Sequence, residues 1–599
     1  AARRGVLGRR LRLFRVVLAI AFLAILARLV DVQVLRSGQY QTAASEELTQ
    51  QVSIPALRGT IYDRNGDVLA MSIPTSTVLA DDFQIQHPES EARQLAPLIG
   101  TSVARLASLL HEKSGYVPIA NGVSPTRASK VTADDLPGIT TVDSSEQVDP
   151  DGDLAAPVIG AVHQAGTGAS GLEYQYNKEL EGRSGSETLL ESPSGVVLPD
   201  TPVTGRRAAH AGTGLELTLD GPLQYTTEQD LAAEIIASHA VNGVAEIMDV
   251  QTGQILSMAS LVNNTPQAGV VSATTPTVGK ATPETSKIVD IGAGGPVSEA
   301  PDNLAVSEVY EPGSVFKVVT FSAAIQDGLI TPSTTFTVPD TIVLDGSFFH
   351  DATYHPTEQL TAQQILAQSS NIGTSEIAQN LGESRLLAQV RKLGFGTETD
   401  LGFPGQEAGI IAGAAQWEPT DYVSLPIGQV DAVTPQQVLD SYAAVANGGV
   451  MVQPKLVEAT VGVDGKTTPT APSARHRVIA ASADSELIPM FEQVVKTGTG
   501  TSAFIPGYNV AGKTGTSQIP TPGQDSYITG AFMATFVGFA PVAHPVLAAI
   551  VVLDRPTPIY GGSVGAPVFS QIMSYALHRY EVPTTPGAPT TPPPPGNPD

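Results

Sequence analysis

Cysteine is absent from all 599 residues, which excludes disulfides, thiolate nucleophiles and zinc sites built on Cys. That absence is compatible with life outside the cytoplasm. Basic residues are scarce: 33 Lys and Arg face 59 Asp and Glu, for a formal net charge of −26. So acidic a chain is a poor partner for nucleic acid, and none is expected. Ten histidines are scattered along the chain. His350 and His355 lack the spacing of metal ligands, so they read as loop or strand-end residues and no metal is expected. Charged residues are few (15%) beside a hydrophobic share of 42%, which describes a globular chain, not a disordered one. Its length exceeds a single core, so two or three domains are expected. No internal repeat is visible.

Long hydrophobic runs are also rare, and the first one stands out. The opening fifteen residues hold Arg3, Arg4, Arg9, Arg10, Arg12 and Arg15 and no acid. An apolar segment follows from Val16 to Ala27 and extends to about Leu35, so that Leu13 to Val34 is long enough to span a bilayer. The basic flank places the N-terminus in the cytoplasm and the bulk of the chain outside. A cleaved signal peptide fits less well, because Ala19-Ile-Ala21 lies inside the apolar run and not after it. The reading is a basic tail over 1–12 and a transmembrane anchor over 13–35.

From Arg36 to His210 short strands, turns and a few helices alternate, with no catalytic constellation. Arg58 to Ala70 reads as a hairpin, with strands at Thr60–Tyr62 and Val68–Ala70 and Asn65-Gly66 as the turn. By pattern alone it is a surface hairpin. Gly168 to Gly185 looks like turns around a short helix. A pedestal or dimerisation-type domain is therefore assigned to 36–211. A second domain, 212–580, opens with a strand at Leu215–Leu219 and a helix at Gln224–Ser238. Two apolar strands follow, Ala245–Val250 and Gln254–Ala259. Residues 261–305 are rich in Thr, Pro, Gly and Ala and read as a long loop. Phe532–Phe539 and Val546–Leu553 are apolar strands of the kind found in the middle of a sheet. A last helix spans Ala566–Arg579, and the Pro- and Thr-rich tail over 581–599 is expected to be disordered or extended.

Chemistry is carried by three short clusters. In Glu311-Pro-Gly-Ser-Val-Phe-Lys317 the turn Pro312-Gly313 precedes a helical apolar pattern from Ser314 to Gln326. Positions i and i+3 share a helix face, so Ser314 and Lys317 can meet. The helix start favours developing negative charge at Ser314, and a buried lysine can serve as the base that activates it. Taken singly, this pair is common and would read as a helix cap followed by a solvated lysine. Ser369-Ser-Asn371 and Lys513-Thr-Gly-Thr516 follow in order, and each would read singly as a polar turn. The ordered triple S-x-x-K, S-x-N, K-T-G is far more specific than any member, and it resembles the set found in penicillin-binding proteins and class A β-lactamases. Ser370 departs from the S-D-N spelling of the middle member, while Ser369 and Asn371 keep it.

The resemblance runs through most of the chain. Arg58-Gly-Thr-Ile-Tyr-Asp-Arg-Asn-Gly-Asp-Val-Leu-Ala70 is similar to a signature of class B penicillin-binding proteins. Leu217 to Gln224 and Asp249 to Leu256 look like the opening of their transpeptidase domain. Glu311-Pro-Gly-Ser314 and Ser369-Ser-Asn-Ile-Gly373 resemble the septal, FtsI-like members most. What this implies is an α+β protein: a penicillin-binding transpeptidase fold, with an antiparallel sheet flanked by helices, an N-terminal transmembrane helix and an elongated, mostly β pedestal. The implied activity is that of a peptidoglycan D,D-transpeptidase working through a Ser314 acyl-enzyme, without a cofactor, and blocked by β-lactams. The resemblance makes Lys317 the base and has Ser369 and Asn371 relay the proton and orient Lys317. It gives the substrate carboxylate to Lys513, Thr514, Gly515 and Thr516, and the oxyanion to the N–H groups of Ser314 and Thr516. Implied partners are stem peptides, the membrane, a SEDS-family (FtsW-like) glycan polymerase and other division proteins, because no glycan-polymerising module is visible.

Other readings were weighed. An elongation-type class B enzyme shares the class features. A hydrolytic β-lactamase needs a deacylating carboxylate, and Glu383-Ser-Arg-Leu386 reads instead as an ordinary helix start. Gly507 to Thr514 matches the phosphate-loop pattern G-x-x-x-x-G-K-[ST], but that pattern must lead into a helix, and Gly515 to Pro522 cannot form one. A non-catalytic scaffold or sensor of wall peptides is disfavoured by the intact triple.

Overall fold

The structure, a computed structural model, describes residues 2–38, 49–112, 115–163, 166–190, 204–265, 288–292, 294–344, 346–413, 417–524, 526–594 and 596. The chain divides into two compact units that interleave in sequence. One comprises Ala1–Leu57, Pro74–Ser145 and Gly182–Ala211, the other Arg58–Ile73, Glu146–Glu181 and Gly212–Asp599. The boundary is therefore not one cut at residue 211. The Arg58 hairpin and the Gly168 cluster pack with the residues that carry the triple.

In the first unit, a helix spans Ala2–Val30 and ends in a π-helical turn, Asp31–Leu35. Arg9–Leu35 is long and apolar enough to cross a membrane. Leu13, Phe22 and Leu26 are all more than half exposed, which suits lipid better than water. The two charges near its C-terminal end neutralise each other, Arg28 Nη1 lying 2.6 Å from Asp31 Oδ2. Farther on, helices Pro88–Ile99, Val103–His111 and Pro125–Ala133 bury Leu95, Leu106, Leu110 and Val131 with Val78 and Ala80 of a strand. A three-stranded antiparallel sheet joins Thr49–Ile54, Gly185–Leu190 and Thr204–Arg207.

The second unit is built on six strands: β1 (Asn242–Asp249), β2 (Ile255–Asn263), β3 (Val297–Glu299), β4 (Ala511–Pro520), β5 (Tyr527–Ala540) and β6 (Leu547–Asp554). Their order is β3-β2-β1-β6-β5-β4, with every pair antiparallel. Apolar runs occur here because both faces are covered. Along β6, Leu547, Ala549, Val551 and Leu553 join one core, while Ala548, Ile550 and Val552 join the other, as a period of two requires. On the first face lie α1 (Gly221–Ser238) and a long C-terminal helix. On the second lie α2 (Lys317–Gln326), α3 (Ala362–Ala367), α4 (Asn371–Leu381), α5 (Pro435–Ala446) and α6 (Ala481–Thr497).

The C-terminal helix, α7, spans Gly561–Arg579 and starts five residues before the expected Ala566. Glycine is a poor helix former, but here its missing side chain lets the helix touch the sheet. A Cβ on Gly561 would stand 2.1 Å from the Thr535 carbonyl oxygen and 2.6 Å from that of Gly515. The loop expected over 261–305 is partly strand, since β2 runs to Asn263 and pairs with β3, and residues 266–287 of it lie outside the described residues. The tail does not hang free where it is described. Tyr508 Oη donates to the Val582 carbonyl at 2.6 Å, Thr585 N to Gly507 O at 2.9 Å and Gly507 N to Pro589 O at 3.0 Å.

The Arg58 hairpin proves to be internal scaffolding. Ile61 pairs with Ala70 and, in parallel, with Leu215, and Gly66 takes the positive φ of the turn. Arg58 is buried against Glu173, with Nη1 on Gly166 O (2.7 Å) and Asn177 Oδ1 (2.9 Å). Burial raises the pKa of Glu173, and the Arg58 guanidinium opposes that rise.

Candidate active site

Ser314 lies in a 3-10 turn, Gly313–Phe316, that runs directly into α2 at Lys317. The expected continuous α-helix from Ser314 thus begins with a tighter turn. In that geometry residues three apart eclipse, which puts Lys317 and Ser314 on one face of the turn, and the Lys317 N–H donates to the Ser314 carbonyl. Ser314 is half-buried, whereas Lys317 is fully buried. Gly313 holds φ +60, and a side chain there would crowd Ser517 and Thr516 of β4 at 3.2 Å. Tyr442 Oη on α5 fixes the same turn through the Val315 carbonyl, 2.9 Å away.

The S-x-N cluster occupies the break between α3 and α4. Ser369 adopts φ +61, a conformation that costs an L-residue about 1 kcal/mol or more. The turn aims its groups at both lysines. Lys317 Nζ donates to Ser369 O (2.6 Å), Ser369 Oγ (3.3 Å) and Asn371 Oδ1 (3.0 Å). Lys513 Nζ donates to Ser369 Oγ (2.9 Å), Thr514 O (3.0 Å) and Thr514 Oγ1 (3.1 Å). Ser369 therefore joins two fully buried lysines from different elements. Ser370 caps α4 by accepting from Gly373 N and donates to Asp351 Oδ2 at 2.7 Å.

Lys513 to Thr516 lie within β4, at the edge of the sheet among the described residues. A phosphate loop is thereby excluded, because the residues after Lys513 are strand and not helix. Gly515 keeps β4 close to the Ser314 turn: a Cβ would meet Pro312 O at 2.9 Å and Val315 at 3.1 Å. Thr514 is fully buried, and its hydroxyl is taken by Thr499 Oγ1 at 2.6 Å and by Lys513. Thr516 is half-buried and accepts from Gly561 N at 3.3 Å. Of the two threonines, Thr514 is held inside by Thr499 and Lys513, and Thr516 is the more exposed. Glu383 opens a helix, Glu383–Lys392, and accepts from Tyr422 Oη at 3.1 Å.

Residues without a motif complete the site. Asp351 and Thr499 carry no sequence motif, and their hydrogen bonds to Ser370 and Thr514 place them here. Glu311, next to the turn, accepts from Val430 N (3.1 Å) and Tyr527 Oη (3.2 Å), and burial pushes its pKa up to about 7.

A serine one turn before a buried lysine, which a second serine links to another lysine on an edge strand, is the constellation of acyl-transferring serine enzymes. Comparison with known proteins decides the family. Residues 243–574 match the penicillin-binding protein transpeptidase domain, and residues 53–217 match the penicillin-binding protein dimerisation domain. The chain belongs to the class B penicillin-binding proteins. It is 31% identical over 616 residues to penicillin-binding protein PbpB of Mycolicibacterium smegmatis, covering 96% of this chain and 91% of that one. It is 27% identical over 578 residues to peptidoglycan D,D-transpeptidase FtsI of Escherichia coli, covering 95% and 91%. Among solved structures, penicillin-binding protein 3 of Mycobacterium tuberculosis complexed with aztreonam matches with a TM-score of 0.66 at 28% identity, over 90% of this chain and 100% of that one. As a class B penicillin-binding protein, the chain is a peptidoglycan D,D-transpeptidase.

Proposed function

We propose that this transpeptidase builds the division septum through a Ser314 acyl-enzyme. The observation that carries the chemistry is the Lys317–Ser369–Lys513 chain of contacts, which starts one turn after Ser314. Lys317, acting as the neutral amine, takes the Ser314 proton as Oγ attacks the penultimate D-Ala carbonyl of a donor stem. The tetrahedral oxyanion rests on the N–H groups of Ser314 and Thr516, at about 3 kcal/mol per donor in comparable enzymes. Collapse breaks the D-Ala–D-Ala amide, and the leaving amine takes the proton back. An acceptor amine on a second stem then attacks the ester, loses its proton to the same relay and releases Ser314. Ser369 and Asn371 hold Lys317 in place, and Lys513 with Thr516 receives the terminal carboxylate. As an edge strand, β4 can pair with an extended peptide. A β-lactam enters as a donor mimic and stays on Ser314.

The apolar helix anchors the chain with its arginines in the cytoplasm. The pedestal residues of 36–211 and the anchor face a separate glycan polymerase of the SEDS type. The division role is supported by the spellings around Ser314 and Ser369 and by full-length similarity to FtsI. One depletion experiment tests both claims. In cells depleted of the native protein, the full-length wild type restores septa and is labelled by a fluorescent penicillin, and Ser314→Ala does neither. Labelling retained at another serine sinks the nucleophile assignment. Normal septa in misshapen depleted cells sink the division role.

A further inference from the structure

Asp351 is buried beside the S-x-N turn and receives four donors. Asn371 N (2.6 Å) and Ile372 N (3.0 Å) reach Oδ1, while Ser370 Oγ (2.7 Å) and His355 Nε2 (3.0 Å) reach Oδ2. Three of these come from consecutive residues that set Ser369 in its left-handed conformation, so the carboxylate is the clasp of the turn that holds both lysines. A carboxylate at the first N–H groups of α4 is favoured by the helix dipole as well. The fourth donor is special. His355 Nδ1 lies 2.8 Å from the Pro356 carbonyl oxygen while Nε2 faces the Asp351 carboxylate. A carbonyl oxygen and an ionised carboxylate can only accept, so beside the Asp351 carboxylate both ring nitrogens carry hydrogen, and the contacts are those of an imidazolium.

We propose that His355 and Asp351 form a positioning pair in which the protonated imidazole holds the carboxylate that fixes the Ser369–Asn371 turn, making acylation of Ser314 sensitive to the charge of His355. Neither residue touches substrate; both act through Ser369 and Asn371. The titratable groups around the ring are Asp340, Asp351, Tyr354 and Glu358, with His350 beyond them beside Asp340. Partial burial disfavours the charged ring, but the Pro356 carbonyl, Asp351 and Glu358 outweigh it and raise its pKa above 6.5. The clasp is therefore complete below the ordinary imidazole value of about 6.5, and it loosens as pH rises through the raised value. With Ser370 in place of an acid, the clasp gains a hydroxyl donor and no second negative charge.

The test is the pH profile of Ser314 acylation by a fluorescent penicillin, using the full-length protein in detergent. The wild-type rate should fall on alkalinisation by about threefold to tenfold, the value of one charge-assisted hydrogen bond. His355→Gln keeps a donor for Asp351 at every pH, so that limb should vanish while the protein still unfolds in a cooperative thermal transition. Asp351→Asn should slow acylation at every pH. In the same variant, histidine-selective NMR should show the His355 pKa falling back. An unchanged alkaline limb in His355→Gln, or an unchanged His355 titration in Asp351→Asn, would overturn the pair. The inference rests on Ser314 being the acylated residue: no labelling of the wild type at any pH would remove that assignment and this proposal together, whereas normal labelling with an unaltered profile removes the pair alone.

Discussion

Ser369 Oγ stands between Lys317 and Lys513, at 3.3 and 2.9 Å from their Nζ atoms, and the consequence of deleting it can be worked out from the other contacts. Lys317 keeps Ser369 O and Asn371 Oδ1, and Lys513 keeps Thr514 O and Oγ1. Neither buried lysine is stranded, so Ser369→Ala should fold normally, and alanine bears the same left-handed backbone cost as serine. What is lost is the link between the two lysines. Acylation by a fluorescent penicillin should slow by about a hundredfold, the usual scale of a proton-transfer contribution, with an unchanged thermal midpoint. A loss below threefold would mean that protons pass without Ser369. Residues of this kind were legible in the sequence because each carries a spelled motif. Asp351 and Thr499 were not, because they act from loops 20 and 15 residues before the groups they hold, and no periodicity links a loop carboxylate to a later helix start. Thr514 was legible as a letter of its motif, but its hydroxyl contact with Thr499 was not.

At the scale of elements, period-two apolar runs made β5 and β6 readable, since strands buried on both faces leave no polar alternation to interrupt them. The start of α7 was unreadable for the opposite reason. Its glycines lower helix propensity, and only the sheet against which they pack explains them. Gly561 is the sharpest case: an added methyl group would strike the Thr535 and Gly515 backbone, which belongs to β5 and β4. Gly561→Ala should therefore cost about 1–3 kcal/mol, as overpacking does. It should also slow acylation, because Gly515 lies between Lys513 and Thr516. Thermal unfolding and penicillin labelling of the variant read the two effects, and a wild-type midpoint would show that α7 can slide away from the sheet at no cost.

At the scale of the whole molecule, the acidic balance takes on a particular form. Burial pushes the carboxyls of Glu228, Glu308, Asp431, Asp440 and Asp484 up to about 7 and that of Glu234 to about 8. All six lie in the unit that carries Ser314, and in each case desolvation is the largest cause. In the unfolded chain these groups titrate near 4.5 or below. Between that range and 7 to 8 the folded state holds protons that the unfolded state has released, so unfolding stability falls as pH rises through this window. Above it the folded state must bear buried charge, and below it both states are protonated and the penalty disappears. The net charge of −26 acts in the same direction, because protonation relieves self-repulsion. His355 adds to the trend: with its folded pKa raised, its contribution is complete below 6.5 and lost above the raised value. The thermal midpoint of the catalytic unit, followed by calorimetry of the full chain in detergent, should thus be several degrees higher at about pH 5.5 than at about pH 8.5. A midpoint that rises with pH across this range would mean that the buried carboxyls are ionised and paired in the folded protein, and that the core around β1 and α5 is wetter than its packing implies.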